Sequence, residues 1–296
     1  MTLPPHRKVC VPGKLMLLGE YAVLAGSRAM VSSVNRYATV QWSSRPKKSS
    51  LVLSSVADAC DNSKYKDHIT VDTRNFYRAD GQKLGIGSSA AVAVGTSVFL
   101  RQQRDSLALE SALQGHRTAS NGIGSGVDLA SVFHGGVIAA SVQPSAIERL
   151  SSFFEDLHLA VFYLEKSAST KSMVARCQRS EQWHSLTNEM SSVSSVGIEA
   201  YKNRQSGDFM QSVQEYGNLM RSLGKAANVP IYTAQMERLS HCVERHGGVS
   251  KPSGAGGGDV ALVFSESAES FDTIAHETGL EKLDLQLDTL GTHFLD

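Results

Sequence analysis

Apolar and polar positions alternate or recur along the chain in patterns that predict both strands and helices. Val9 to Glu20 is two short apolar runs broken by Pro12-Gly13, which predicts strand, turn, strand. Arg36 to Trp42 alternates, with Ala38, Val40 and Trp42 on one face, and predicts a half-buried strand. The polar, basic Ser43 to Ser50 reads as an exposed turn, Leu51 to Leu53 as a returning strand, and Asp58 to Asp67 as a polar connection. Ser88 to Arg104 and Ser106 to Ser120 predict helices, the second with Leu107, Leu109, Ala112 and Leu113 sharing a face. Gly135 to Val142, Leu157 to Leu164 and Val260 to Phe264 are β-type runs. Thr170 to Tyr201 and Asp208 to Ala226 predict long helices, and Ile231 to His246 carries Met236, Leu239 and Val243 at helical spacing. No internal repeat is visible. The elements fit an α+β chain, and the proline and change of composition in Gln143 to Ser152 suggest a boundary between residues 1–148 and 149–296.

Composition narrows the class of partner. The chain has 296 residues, 41% hydrophobic and 20% charged, enough for one large core or two modest ones. Lys+Arg and Asp+Glu each number 29, so no global field favours nucleic acid or an anionic membrane, and a small-molecule partner is expected. Cys10, Cys60, Cys177 and Cys242 stand singly with no C-x-x-C spacing, which predicts reduced thiols. The N-terminus has no apolar signal core and no run approaches the roughly 18 to 20 apolar residues of a membrane span, so a cytoplasmic location is expected.

The candidate chemistry sits in glycine-rich loops. Lys83 to Gly95 reads KLGIGSSAAVAVG. Its glycines permit a tight turn, Ser88 and Ser89 are good N-cap residues, and the free amides of a helix start attract anions. A Walker loop would need Lys-Ser/Thr after the last glycine, and Ser-Ser-Ala-Ala stands there. A dinucleotide fingerprint fits Gly85-x-Gly87-x-x-Ala90. It is disfavoured by the polar Asn75 to Gln82, where a buried strand should precede it, and by helix around Asp105. A glycine turn capping a core helix is the plainer alternative. Lys14 follows Pro12-Gly13 and is either held near its turn or solvated at a strand end. Asn121 to Asp128 delivers Asp128 to the head of an apolar segment, where an acid could also simply cap a helix. Lys166 to Ser172 clusters hydroxyls and ammonium groups that suit an anion, or a helix cap at Ser167 or Ser169. Lys251 to Asp259, KPSGAGGGD, offers bare amides and Lys251 as a second phosphate contact, its glycines having no evident packing purpose.

Together, Pro12-Gly13-Lys14 with Gly19-Glu20, Gly85 to Ala91, and Ser253 to Asp259 resemble the three ordered motifs of the GHMP small-molecule kinases, over about residues 9–265. Within that superfamily the third motif, His116 followed by Gly124 to Asp128, and the Ala-Ser-Thr of residues 168–170 are similar to those of the phosphomevalonate kinases. The chain departs from them in being short, with Ser43 to Asn75 trimmed, which leaves the acceptor open. The resemblance implies an N-terminal domain like the second domain of ribosomal protein S5, a C-terminal ferredoxin-like domain, and a cleft between them. It implies that Gly85, Ile86, Gly87, Ser88, Ser89, Ala90 and Ala91 hold ATP, with Ser89 on Mg2+. Lys14 would lie between donor and acceptor phosphates. His116, Ser125, Ser169, Lys251, Ser253, Gly254, Ala255 and Gly256 would lie on the acceptor side, and Asp128 would orient Lys14 or serve as base. The implied activity is phosphorylation of phosphomevalonate, with mevalonate or another small alcohol as the alternative acceptor and a non-catalytic ligand-binding role as the second alternative. Diphosphomevalonate decarboxylases share the fold but usually lack a lysine matching Lys14.

Overall fold

A computed structural model describes residues 8–142, 147–164 and 170–295. In chain order the first half holds β1 (Lys8–Leu18), β2 (Ala29–Trp42), α1 (Leu51–Ala59), β3 (Ile69–Asp72), α2 (Ser88–Arg101), α3 (Ser106–Ala119), α4 (Val127–His134), β4 (Val137–Ala140) and β5 (Ile147–Arg149). The second half holds β6 (His158–Tyr163), α5 (Thr170–Cys177), α6 (Trp183–Lys202), α7 (Ser206–Ala227), α8 (Ala234–Arg245), β7 (Val249–Pro252), β8 (Val260–Ser265), α9 (Ser270–Thr278), β9 (Lys282–Leu283) and β10 (His293–Leu295).

Two antiparallel sheets result, ordered β10-β1-β2-β4-β5 with β3 beside β2, and β7-β8-β6-β9. The small residues of α2 let it lie close on the first sheet: a Cβ at Gly95 would come 2.5 Å from Val40 and 2.8 Å from Val11. In the second sheet every residue of β8 is buried. Val260, Leu262 and Phe264 join the main core with Phe209 of α7, while Ala261 and Val263 face Met236 and Leu239 of α8. A strand covered on both faces reads as a continuous apolar run, which explains the unbroken sequence from Val260 to Phe264.

The structure departs from the sequence reading at several points. Pro12-Gly13 does not end a strand; β1 continues through it with a register shift, Pro12 pairing with Tyr37 and Gly13 with Val34. A bulge absorbs the proline without breaking the sheet. Leu51 to Leu53 opens helix α1 instead of forming a strand. The Ser50 hydroxyl accepts from the Leu53 amide at 3.3 Å, and Leu53, Val56 and Ala57 give the helix its buried face. Leu107 is exposed on α3, whereas Leu109 and Ala112 are buried. The long helical stretch from Thr170 divides into α5 and α6. A division at residues 148/149 falls inside β5, whose Arg149 pairs with Ile138 of the first sheet, and β10 also returns to that sheet beside β1.

Candidate functional site

A cleft of about 580 Å³ lies where the three glycine-rich motifs meet. The bulge in β1 turns Lys14 into it, and the Lys14 amide donates to the Ile86 carbonyl at 2.8 Å. Gly87, with φ 91°, is the N-cap of α2, so Ser88 and Ser89 begin the helix and do not cap it. Only a residue without Cβ fits there: one at Gly87 would come 2.9 Å from Lys14 Cγ. Gly85, with φ 70°, is equally tight, because a Cβ would come 2.5 Å from that of Asp259 at the end of the third loop. The lysine stem therefore lies over the middle loop, and the middle loop lies against the third.

The third loop is tied to β1 and to the turn after it through buried and part-buried polar bonds. The Met16 amide donates to Ser253 Oγ at 2.9 Å, and the Tyr21 hydroxyl donates to the Ala255 carbonyl at 2.6 Å. Lys251 does not line the cleft, contrary to its expected role at the acceptor. Its ammonium is fully buried and donates to Glu20 Oε1 at 2.5 Å, the Pro252 carbonyl at 2.8 Å and the Met16 carbonyl at 3.3 Å. Burial pushes the Lys251 pKa down, the Glu20 carboxylate pulls it back up, and the nearby Lys14 charge lowers it further. Glu20 Oε1 also accepts from the Gly254 amide at 3.3 Å, so the pair fixes the first turn of the loop.

Lys14, Gly85, Gly87, Ser88, Ser89, His116, Ser125, Asp128, Ser253, Gly254 and Ala255 all line the cleft. Ile86 buries its side chain and Ala90 and Ala91 are fully buried within α2, so none of these three is among the lining residues. Gly256 faces away: a Cβ would strike the Ile231 carbonyl at 2.5 Å, which supplies the packing purpose the sequence did not reveal. Ser169 lies outside the described residues, while its neighbours Thr170 and Lys171 line the cleft. His116 Nε2 is 3.4 Å from Ser89 Oγ.

The N-termini of α2 and α4, with Gly87 and Gly126 as N-caps, both lie at the cleft, so two positive dipole ends face it; in α4 the Val127 amide already donates to Ser125 Oγ at 3.4 Å. Asp128, in the first turn of α4, accepts from the Leu129 amide at 3.0 Å. Among the described residues no ion pair within 4.0 Å joins Asp128 to Lys14, and Lys14 has no carboxylate partner. An uncompensated ammonium facing helix N-termini is a strong attractor for a polyanion. Sequence reasoning missed Glu20 and Tyr21 as supports and Lys83 as a lining cation. Glu20 stood in the first motif, but its partner is 231 positions away.

No protein-family model matches the chain. It is 22% identical over 317 residues, 95% of the chain and 97% of the relative, to the phosphomevalonate kinase of Saccharolobus solfataricus. Among solved structures, the Lin0012 protein of Listeria innocua superposes with TM-score 0.85 and 23% identity, covering 98% of this chain and 99% of that one. The Streptococcus pneumoniae phosphomevalonate kinase in complex with phosphomevalonate and AMPPNP superposes with TM-score 0.78 and 18% identity, covering 95% and 99%. The two-domain fold is that of the GHMP kinases. Within that class the chain is similar to the phosphomevalonate kinases in both sequence and fold.

Proposed function

We propose that this protein is a phosphomevalonate kinase, transferring the γ-phosphoryl group of ATP to the phosphate of phosphomevalonate. The observation that carries the reading is the meeting of Lys14, the α2 N-terminus and the third glycine loop in one cleft, in a chain similar to phosphomevalonate kinases along nearly its whole length. In this reading an oxygen of the acceptor phosphate attacks the γ-phosphorus, the bond to the bridging oxygen breaks, and ADP leaves. Such a transfer asks the protein chiefly for positioning and charge neutralisation. The backbone of Gly85 to Ser89 would cradle the ATP phosphates, and Lys14 would neutralise the group in flight. Ser253, Gly254 and Ala255, with His116, Ser125 and Lys171, would hold the acceptor.

The cleft's donors fit Mg2+, a hard cation that keeps water and phosphate among its ligands: Ser89 Oγ and the Asp128 carboxylate are oxygen donors lining the cleft. When bound it would offset negative charge on the nucleotide phosphates. A phosphate monoester has a second pKa of about 6 and is already an anionic nucleophile at neutral pH, so this acceptor needs no strong base. Among the described residues Asp128 makes no ion pair with Lys14, so in this reading it would act through the charge it adds to the cleft and not by orienting Lys14 directly.

The test is ADP release with phosphomevalonate and mevalonate measured side by side. Faster turnover with phosphomevalonate is expected. Faster turnover with mevalonate would overturn the acceptor, and ADP release with neither would favour a non-catalytic ligand-binding role.

A further inference from the structure

The second sheet's outer helices carry a cluster that the cleft does not use. Cys242 and His246 are four residues apart, so they lie on one face at the C-terminal end of α8, and Glu277 faces them from the last turn of α9. The donor atoms lie within 4.8 Å of one another, with Cys242 Sγ 3.3 Å from Glu277 Oε2 and His246 Nε2 3.1 Å from Glu277 Oε1. Arg245 donates to the same Oε2 at 2.6 Å. None of these side chains lines the cleft.

We propose that Cys242, His246 and Glu277 form a binding site for a thiophilic divalent cation of the zinc class, cross-linking α8 to α9. A tetrahedral centre with bonds of about 2.0–2.3 Å to sulfur, nitrogen and oxygen keeps its ligand atoms roughly 3.3–3.6 Å apart. The short contacts run to the two different oxygens of Glu277, and with one oxygen per carboxylate the donor atoms lie within 4.8 Å of one another, so the site closes by about an ångström or less per donor. One thiolate, one imidazole and one carboxylate select a borderline-soft ion over magnesium or calcium, which take oxygen donors. Water would complete the set on the open side, since His246 and Glu277 are only partly covered. On binding, the Cys242 thiol loses its proton to solvent, His246 presents its neutral ring nitrogen, and Arg245 remains as an outer partner holding the carboxylate. Helix α8 leads through β7 into the third glycine loop and α9 follows β8, so the cation would clamp the elements on either side of that loop.

The experiment titrates Co2+ into chelator-treated protein kept under a non-thiol reductant. The expected result is one equivalent bound, with a thiolate-to-cobalt charge-transfer absorption that Zn2+ displaces. Cys242→Ser should abolish the absorption, Cys177→Ser should retain it, and the exposed Glu277→Gln should weaken binding by roughly tenfold or more. Zn2+ should raise the melting temperature of the wild type and not that of Cys242→Ser. Should Cys242→Ser fail to fold, Glu277→Gln decides alone: unchanged affinity would overturn the site. So would absence of the absorption in the wild type, or its persistence in a folded Cys242→Ser variant.

Discussion

In the proposed transfer, Lys14 is the residue on which charge neutralisation would turn. Its stem crosses Gly87 and no carboxylate within 4.0 Å offsets its charge among the described residues. Lys14→Met should lower kcat by about 100 to 1,000-fold while changing both KM values little, because a group that acts on the migrating phosphoryl acts mainly in the transition state. Steady-state kinetics check this, and near wild-type kcat would make Lys14 a bystander. Asp128→Asn should cost less than the 100-fold or more, in round terms, that removal of a required general base exacts. With phosphomevalonate the activity should follow substrate ionisation near a pH of about 6 in both enzymes, the variant's profile lower but unmoved. A shifted profile would show that Asp128 takes a proton. The sequence identified Lys14 and Asp128 from their glycine neighbours, since a turn glycine leaves a local signature. It could not identify the Glu20–Lys251 pair, because a buried ion pair joining residues 231 positions apart leaves none.

At the scale of elements, the same pair decides how firmly the third loop sits on β1. Lys251 is fully buried and Glu20 nearly so, and breaking such a pair from one side strands a charge out of water. Lys251→Met should destabilise the fold by about 3 to 5 kcal/mol, and Lys251→Met with Glu20→Gln should recover part of that loss. Urea denaturation of the wild type, single and double variants tests it; a single variant within error of the wild type would mean that the pair contributes nothing. Helix α2 gives an independent check of close packing. Gly95→Ala should cost about 1 to 3 kcal/mol, because the new methyl meets the side-chain methyls of Val40 and Val11, which must shift to admit it. Long helices and the wholly buried β8 were legible in the sequence because their patterns run for several turns or several residues. Leu51 to Leu53 was misread as a strand because three apolar residues carry no period, and the Ser50 cap and the later Val56 were what settled the helix.

At the scale of the molecule, the segment after β9 straps the two halves together. The Asn35 amide donates to the Gln286 carbonyl at 3.0 Å, the Gly136 amide to the Asp288 carbonyl at 2.9 Å, and the Thr292 amide to the Val132 carbonyl at 2.9 Å, before β10 pairs with β1. A three-residue strand gives almost no sequence signal, which is why this return to the first sheet was not legible. Removing residues 286–296 would take the Gln286 carbonyl from the Asn35 amide and the Asp288 bonds from Ser33 and Tyr37, leave the Gly136 amide on the Ser33 hydroxyl alone, and open the β1 edge. The loss falls on the first sheet, and the two tryptophans report on different parts of one core: Trp42 lies in β2, and Trp183 is buried at the start of α6 with its ring edge-on to Tyr21. In the full chain, Trp183→Phe and Trp42→Phe variants should unfold in urea at one shared midpoint. In the shortened chain both signals should move to lower urea together, because Trp183 and the residues under Trp42 belong to one hydrophobic core. An unchanged midpoint would show that the strap contributes no stability, and separated midpoints would show that the strap is what couples the regions around the two tryptophans.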